Sequence, residues 1–436
     1  MARIIVTPRI ETFDVQHDAV IGRVGVASDG GNLLKNSASS VNEARKKLLD
    51  GFARRMINLK LKQRGLHSTR FSSPREPELA KCYTVFEGVG AVAIEEEFVD
   101  REYIESIHGI HITDNRLLGG LDASLAFGNS VSERPDFWHL DKINLGAFRR
   151  RGLNGKGVVV GVLDSGIQAS HPEFEGKRIH FAHFDQDGNQ TNCPPKDFGN
   201  HGTHVSGLIA GRNAGVAPEA TLAVAAVLSE RRGQACHHAA ILAGLDWLIK
   251  TDFSVNGDPG CAVVNTSLQI KGFNDFLYGA LSIARHAPGT LMIAASGNFA
   301  TANPCRPTTP GNYDVVVGVG AMDRQDRVAK FSQWGHIKEM GNLVKPDICA
   351  PGVDIWSSTP TNSYQKMSGT SMASPIVCGV AALLLQATPA YSTGIDELRV
   401  ALLGHSVAIG DQGIKAGRGR LMIDGSIEAR EKCNAA

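Results

Sequence analysis

The chain has 436 residues, of which 42% are hydrophobic and 20% charged, and its formal net charge is +1. This composition is typical of a globular protein, and the length allows a full-sized core with a smaller second domain. A charge this close to zero gives no general attraction for nucleic acid or acidic membranes, so no nucleic-acid partner is predicted. No apolar stretch has the length that predicts a transmembrane segment.

The N-terminus and the cysteines predict a cytoplasmic protein. Residues 1–9 lack the apolar core of a signal peptide. The eight cysteines are scattered without a CxxC pair, and Cys261 and Cys378 lie in apolar surroundings typical of small core residues. We therefore expect reduced thiols and a cytoplasmic location.

Residues 1–75 contain one clear helix pattern, which predicts an N-terminal extension with a basic amphipathic helix. Ser40–Glu43 reads as a capping box, and Gly65 can end the helix. Apolar residues follow the cap at helical spacing: Leu48, Leu49, Phe52, Met56 and Leu59. The other face carries Arg45, Lys46, Lys47, Arg54, Arg55, Lys60, Lys62 and Arg64. Such a face can contact a membrane surface or nucleic acid, but it is more often simply solvated.

Residues 76–121 show the pattern of a small α+β unit. Residues 82–94 contain two strand-like pieces around a glycine turn, 95–107 form an acidic helix candidate, and 110–113 alternate as a short strand. The stretch 122–135 then reads as a linker to a larger domain.

Three later stretches each bring one reactive side chain to the end of an apolar element. A buried strand over 158–163 ends in Asp164, and His201 stands in a run of small residues that opens a helix. Ser371 lies among small residues just before Pro375 and a helix that is apolar on every side. The free N–H groups of such a helix start suit a nucleophile whose reaction creates an oxyanion, although a serine there is as often only a cap.

The order Asp, His, Ser is that of the catalytic triad in subtilisin. Over residues 131–430 the motifs resemble the subtilisin-like serine proteases. The resemblance implies an α/β, subtilisin-like three-layer fold with a mostly parallel central sheet, and the alternation of apolar strands and helices favours the same architecture. It implies a catalytic domain over 136–430 and a propeptide-like, inhibitory role for the small α+β region at 76–121. An unrelated α+β appendage would give the same pattern.

The resemblance also implies the roles of individual residues. Ser371 would be the nucleophile, His201 the general base, and Asp164 the group that orients the histidine. Asn298, at the end of the apolar stretch 291–298, matches the amide that completes the oxyanion hole. Taken alone, an asparagine after glycine would be a turn residue.

Seven further residues match the substrate-binding walls of the family. They are Ser267, Leu268 and Gln269 on one side, Ala295, Ser296 and Gly297 on the other, and Thr308 at the floor. The family usually has glycine where this chain has Gln269, so we expect a bulky amide to narrow the first pocket. None of the seven is acidic, which predicts preference for an uncharged side chain.

The sequence gives only weak support for a metal. Residues 184–189 contain the pattern D-x-D-G-N, which resembles the start of a calcium-binding loop. The glutamate expected at the last ligand position is missing, so a surface turn is favoured. The segment 211–218 is shorter than the loop that wraps calcium in many secreted relatives. The triad chemistry itself requires no cofactor.

We therefore predict a serine endopeptidase that cuts protein or peptide substrates and is made as a self-inhibited, self-processing zymogen. Its own prodomain would lay residues 117–121 through the cleft, with Leu118 and Leu121 in two pockets, and self-cleavage would fall between Leu117 and Phe127. Two alternatives are a dedicated peptide-maturation protease or transpeptidase and a non-catalytic binding scaffold. The four intact residues argue against the scaffold, and cut, joined or unchanged peptides would separate the three.

Overall fold

The computed structural model describes fifteen segments of the chain: 3–8, 46–54, 56–57, 83–86, 89–107, 110–115, 117–118, 125–126, 134–228, 236–253, 260–286, 289–300, 306–389, 394–410 and 412–423. The helices in these segments are α1 (46–54 and 56–57), α2 (Arg101–Glu105), α3 (Trp138–Lys142), α4 (Gly146–Arg149), α5 (His201–Ala210), α6 (His238–Lys250), α7 (Asp275–His286), α8 (Thr370–Ala387) and α9 (Ile395–Gly404).

The strands in these segments form one large sheet, one small sheet and three short ribbons. They are β1 (Arg3–Pro8), β2 (Tyr83–Phe86), β3 (Ala91–Glu95), β4 (Ile110–Asp114), β5 (Leu117–Leu118), β6 (Leu125–Ala126), β7 (Val159–Asp164), β8 (Ile179–Phe184), β9 (Gln190–Thr191), β10 (Thr221–Ala226), β11 (Cys236–His237), β12 (Val263–Thr266), β13 (Leu291–Ala295), β14 (Val316–Met322), β15 (Gly335–Ile337), β16 (Leu343–Lys345), β17 (Ile348–Pro351), β18 (Ile355–Ser358), β19 (Tyr364–Ser368), β20 (Ser406–Val407) and β21 (Arg420–Leu421).

The large sheet is mostly parallel. Its order is β20-β21-β17-β14-β13-β12-β7-β10-β8-β9. The pairs from β21 to β8 are parallel, and only the edge strands β20 and β9 pair antiparallel. Helices cover both faces, so the central strands are buried apolar runs. The predicted α/β three-layer fold is confirmed.

Alternate residues of each strand face opposite helical layers. In β10, Leu222 and Val224 pack in the core that contains α5, α8 and α9, whereas Ala223 and Ala225 pack in the core that contains α6 and α7. This alternation follows from the two-residue period of a strand. The sheet therefore separates two hydrophobic cores.

Helix α8 lies inside the first of these cores. Within the described residues it is the one helix long and apolar enough to cross a membrane. Its residues 370–385 are all buried, and they pack on α5, β13 and β14. It is the central core helix, and it carries Ser371 at its first turn.

The small sheet has the order β2-β3-β1-β4 and includes the N-terminus. Strand β1 lies between β3 and β4 and pairs antiparallel with both. The predicted boundary at residue 75 is therefore wrong for residues 3–8, which belong to the same unit as the strands of 76–121. The predicted linker 122–135 likewise contains β6, which pairs with β19.

Helix α1 covers the outer face of the small sheet. Ala53, Met56 and Ile57 are buried there with Ile4 and Val6 of β1, and Leu49 and Phe52 pack at the edge. Leu48 is 71% exposed, so its predicted place on the apolar face is wrong because the buried stripe begins one residue later. Ser40–Glu43, Leu59 and Gly65 lie outside the described residues.

The inner face of the small sheet packs on the large domain. Ile5, Phe86, Ala91 and Ala93 share a core with residues of α6 and α7. The acidic stretch predicted as a helix over 95–107 forms a short 3₁₀ turn, Glu96–Phe98, followed by α2. The two domains thus bury apolar surface in common.

Candidate active site

The reactive side chains converge at the carboxyl end of the large parallel sheet. Asp164 is the last residue of β7, His201 the first residue of α5, and Ser371 the second residue of α8. Helices that follow parallel strands begin at this edge, which is where open α/β sheets bind their ligands. All three side chains are almost completely buried.

Asp164 and His201 form a bidentate contact. Nδ1 of His201 lies 2.8 Å from Oδ1 and 2.9 Å from Oδ2 of Asp164. Nε2 of His201 is buried and has no hydrogen-bond partner among the described residues. With its proton on Nδ1, the ring presents Nε2 as a free base, which is the tautomer that general-base catalysis needs.

The environment of His201 favours its protonated form. Burial lowers the pKa of the imidazole, but the charge and hydrogen bond of Asp164, together with the charge of Asp197, outweigh burial and raise the pKa above its usual value. An imidazolium formed during the reaction is stabilised by the same two carboxylates.

Asp197 is a buried residue that sequence reasoning missed. Its carboxylate accepts hydrogen bonds from Ser165 Oγ (2.7 Å), Gly199 N (3.0 Å), Thr203 N (2.8 Å) and Thr203 Oγ1 (2.5 Å). Ser165 Oγ in turn accepts from the backbone N–H of Gly202 at 2.9 Å. This network ties the end of β7 to the start of α5. An aspartate four residues before His201 was the available signal.

Ser371 is held by the segment that follows β12. Its Oγ donates to the carbonyl of Ser267 at 3.5 Å, and Ser267 Oγ donates to the carbonyl of Ser371 at 3.1 Å. Asn265 supports this pair, because its Nδ2 donates to Ser267 Oγ at 3.0 Å and its Oδ1 accepts from Ser374 at 2.6 Å. To react, the hydroxyl of Ser371 must turn from Ser267 towards Nε2 of His201.

Asn298 presents an unpaired amide donor beside the nucleophile. Its Oδ1 accepts from both the backbone N and the Oγ1 of Thr370, each at 2.8 Å. These bonds fix the oxygen, so Nδ2 is the free end, and it is buried without a partner among the described residues. Thr370, which sequence reasoning missed, therefore orients the amide. An unpaired donor next to a serine nucleophile can stabilise an oxyanion.

The predicted substrate-binding residues lie on the segments around Ser371. Thr308 binds back to Ser296 through its backbone N–H (2.9 Å) and its hydroxyl (3.3 Å), both to the carbonyl oxygen of Ser296. Gly297 has a φ of +117°, and a Cβ there would lie 2.0 Å from Gln333 Oε1, so only glycine fits. The side chain of Leu268 packs in the core with α6, which leaves only its backbone for substrate. Ala295 is also fully buried.

His204, one turn beyond His201, binds two carbonyl groups behind the site. Its Nε2 lies 3.1 Å from the oxygens of Ile355 and Gln365. Burial lowers the pKa of His204 to about 3, so the ring is neutral at ordinary pH. Its contacts are those of a packing residue.

The two stretches considered for calcium are each bound by a carboxylate that accepts several hydrogen bonds. Asp185 Oδ1 accepts from the backbone N–H groups of Asp187 and Asn189, each at 2.9 Å, as in an Asx turn. Buried Glu173 accepts from the backbone N of Asn213 (2.9 Å) and Ala214 (3.1 Å), from Asn213 Nδ2 (2.7 Å) and from the hydroxyl of Tyr364 (2.5 Å). The short segment 211–218 is therefore anchored by a carboxylate.

The fold and the site together define a hydrolase with a three-layer α/β fold and an aspartate, a histidine and a serine in that chain order. The sequence profile described as "Subtilase family" matches residues 155–417. The chain belongs to the subtilase family, which confirms the resemblance.

Three relatives show the extent of the similarity. The chain is 32% identical over 314 residues to the subtilisin-like protease PopC of Myxococcus xanthus, covering 67% of this chain and 64% of PopC. It is 35% identical over 265 residues to subtilisin BL of Lederbergia lenta, covering 58% of this chain and 86% of that protein. A cold-adapted subtilisin-like serine proteinase of known crystal structure has 28% identity and a TM-score of 0.52, covering 62% of this chain and 91% of that one. The match with PopC thus spans less than two thirds of that relative.

Proposed function

We propose that the protein is a serine endopeptidase that hydrolyses peptide bonds through an acyl-enzyme. One observation carries the proposal: Asp164 holds Nδ1 of His201 with both oxygens, while Nε2 is buried without a partner among the described residues, at the same edge of the sheet as Ser371. Nε2 takes the proton of Ser371 as Oγ attacks the substrate carbonyl, and then gives it to the leaving amine. Water repeats the sequence to release the acid. The oxyanion binds Nδ2 of Asn298 and the backbone N–H of Ser371, which lies in the first turn of α8.

We further propose that the N-terminal domain restrains this activity. Arg3 Nη1 donates to the carbonyl of Asp187 at 3.1 Å, and Asn115 Nδ2 donates to the carbonyl of Gln186 at 3.0 Å. Asn115 Oδ1 also accepts from the backbone N–H of Ala239 at 3.0 Å, in the first turn of α6, whose own N-cap residue makes no side-chain cap. Polar capping and the shared apolar core both support tight docking.

Two short ribbons support an inhibitory path for the chain that leaves this domain. β5 pairs with β11, matching Leu118 to Cys236, and β6 pairs with β19, matching Leu125 to Ser368, three residues before Ser371. The six residues between the ribbons, 119–124, lie outside the described residues, and Leu121 is one of them. The side chain of Leu118 is not described either. We propose self-cleavage between Leu117 and Phe127, with the released piece remaining bound as inhibitor.

Intact mass and N-terminal sequencing of the wild type and Ser371→Ala test this zymogen proposal. A new N-terminus in the 117–127 window for the wild type alone is expected. The same cut in both proteins would assign processing to another protease. An uncut and fully active wild type would contradict the inhibitory tail.

The docking contact has its own test in Asn115→Ala. Loss of the cap on α6 should weaken inhibition, so peptide hydrolysis should rise earlier after processing than in the wild type. Glu102→Ala, at an exposed position of α2, is the matched control and should leave that time course unchanged. Equal time courses for all three proteins would contradict the docking role of Asn115.

We also propose a cytoplasmic location. The cysteines in the described part of the chain, Cys193, Cys236, Cys261, Cys349 and Cys378, carry free thiols, as expected in a reducing compartment. Cell fractionation with a cytoplasmic marker should recover the protein with that marker, and recovery in the medium would contradict the proposal.

A further inference from the structure

Gln269 carries a buried amide group that is only half satisfied. The residue is 4% exposed, and its Oε1 accepts from the backbone N–H of Asn298 at 3.0 Å. Because only the oxygen of an amide can accept this bond, the orientation is fixed and Nε2 is the other end. Nε2 is buried without a partner among the described residues. Leaving a buried donor without a hydrogen bond costs free energy, so this donor points to an acceptor that is supplied from outside the chain.

A neighbouring glutamine shows that this arrangement is specific. Gln333 is also buried, but its Oε1 accepts from Phe299 N at 3.2 Å and its Nε2 donates to the carbonyl of Arg306 at 2.6 Å. Both ends of that amide are paired within the protein. The unpaired donor of Gln269 is therefore not a general property of the amides at this edge of the sheet.

The side chain of Gln269 crosses between the two segments that flank Ser371. Gln269 follows Ser267, which shares two hydrogen bonds with Ser371, and it reaches Asn298, which carries the oxyanion donor. The next residue, Ile270, exchanges backbone hydrogen bonds with Thr309 at 2.9 and 3.0 Å. The backbone that carries Gln269 is thus held by hydrogen bonds at Ser267 before it and at Ile270 after it.

A substrate must place its reacting residue next to this amide. The carbonyl carbon sits at Ser371 Oγ and its oxygen at Asn298 Nδ2. The side chain of the same residue begins only two bonds from that carbon. It therefore enters the space beside Ser267 and Asn298, which the Gln269 side chain bridges. Because the Gln269 side chain bridges this space, a long substrate side chain would have to break the bond from Asn298.

We propose that Gln269 determines specificity by selecting a short, uncharged side chain with a hydrogen-bond acceptor on the residue that supplies the scissile carbonyl. Serine, threonine and asparagine meet this description, because each can accept the Nε2–H of Gln269. Leucine and phenylalanine leave that donor unpaired and clash with the bridge. The inference rests on the proposed peptidase function and names the substrate class of the same site.

Hydrolysis of fluorogenic peptides that differ only at this position tests the inference. The full-length chain would be compared with Gln269→Met, which keeps the length but loses the donor, and with Gln269→Gly, which removes the bridge. A fluorophosphonate that labels Ser371 would count active sites in each protein. In the wild type, kcat/KM for Asn or Ser should exceed that for Leu or Phe by about 10-fold or more.

The two variants should change this profile in different ways. Gln269→Met should lose the advantage of Asn and Ser over alanine while still cutting poorly after Phe. Gln269→Gly should raise kcat/KM after Leu and Phe by about 10-fold or more. If Ser371 is labelled in all three proteins and their cleavage preferences are the same, the inference is overturned. A wild type that cuts best after Phe or Leu would also overturn it. No labelling in any of the three, even after incubation long enough for the bound N-terminal piece to be degraded, would overturn the peptidase function instead.

Discussion

Several residues in this site bind one polar atom of a neighbouring side chain and thereby leave its other polar atom free to react. Asp164 occupies Nδ1 of His201 so that Nε2 remains basic, and Thr370 occupies Oδ1 of Asn298 so that Nδ2 remains a donor. Asp197 acts less directly, since it accepts hydrogen bonds from Gly199 and Thr203 on either side of the histidine. Removing any of these carboxylates or amides should therefore change chemistry more than fold.

Asp197→Asn should move the acid limb of the kcat/KM–pH profile to lower pH. The negative charge of Asp197 contributes to the raised pKa of His201, so its loss lets the neutral base persist to lower pH. The pH profile with one peptide substrate is the measurement. Ser165→Ala, which removes a hydrogen bond but keeps the charge, is the control and should show no shift. An acid limb that stays in place in Asp197→Asn would contradict this role.

Asn298→Ala should lower kcat much more than it alters KM, because Nδ2 binds the oxyanion rather than the ground-state carbonyl. The expected loss is about 10²- to 10³-fold, the effect known for the oxyanion-hole amide of subtilisin itself. Asn298→Asp, which offers oxygen in place of the donor, should be at least as damaging. Steady-state kinetics separate the two constants, and an effect confined to KM would make Asn298 a binding residue.

At the scale of elements, the short segment 211–218 is held in place by hydrogen bonds to the carboxylate of Glu173. Glu173→Gln replaces one acceptor oxygen with a donor that faces the N–H groups of Asn213 and Ala214. The free energy of unfolding should fall by about 1–3 kcal/mol. Glu175→Gln is the matched control, because the side chain of Glu175 is 73% exposed. This substitution should change the free energy of unfolding by less than about 0.5 kcal/mol.

Thermal melting in millimolar calcium and in EDTA completes this test. We propose that calcium contributes little here, so the Tm of the wild type should be nearly the same in both solutions. A fall of more than about 10 °C in EDTA would reveal a strong calcium site and contradict the proposal.

Elements with local signals could be predicted, and elements with distant partners could not. The strand that ends in Asp164 and the apolar helix α8 are visible in the sequence because their periodicity lies within a few residues. β1 was missed because its partners, β3 and β4, lie more than eighty residues away along the chain. The exposed position of Leu48 shows the related difficulty that a helix pattern alone leaves the edge of the buried stripe uncertain by one residue.

The site was predictable to a similar degree. The sequence indicated the reactive residues through their motifs, whereas Asp197, Thr370 and Glu173 gained meaning only from their hydrogen bonds. The same holds for Gln269, whose bulk was evident but whose bond to Asn298 was not. Side-chain networks join segments whose approach no local pattern encodes.

At the scale of the whole molecule, two buried histidines should make stability depend on pH. Burial lowers the pKa of His139 to about 4 and that of His204 to about 3. The unfolded chain takes up these protons near pH 6.5, whereas the folded chain does not, so stability is present above 6.5 and is lost as pH falls towards 4. Each histidine contributes a slope of up to about 1.4 kcal/mol per pH unit.

Urea unfolding of Ser371→Ala between pH 7.5 and 5.5 measures this slope without self-digestion and above the range of most carboxylates. The free energy of unfolding should decline as the pH falls below 6.5. A free energy that remains constant down to pH 5.5 would show that these histidines are protonated in the folded protein.

The central claim is that Ser371 attacks peptide bonds, and hydrolysis of a mixed peptide library by the wild type and by Ser371→Ala tests it most directly. Mass spectrometry should find new peptide ends with the wild type, and the variant should lose roughly 10⁶-fold in kcat, the loss known for the nucleophile of subtilisin. Circular dichroism should show the same fold in both proteins. Cleavage by Ser371→Ala at a rate near that of the wild type would contradict the account.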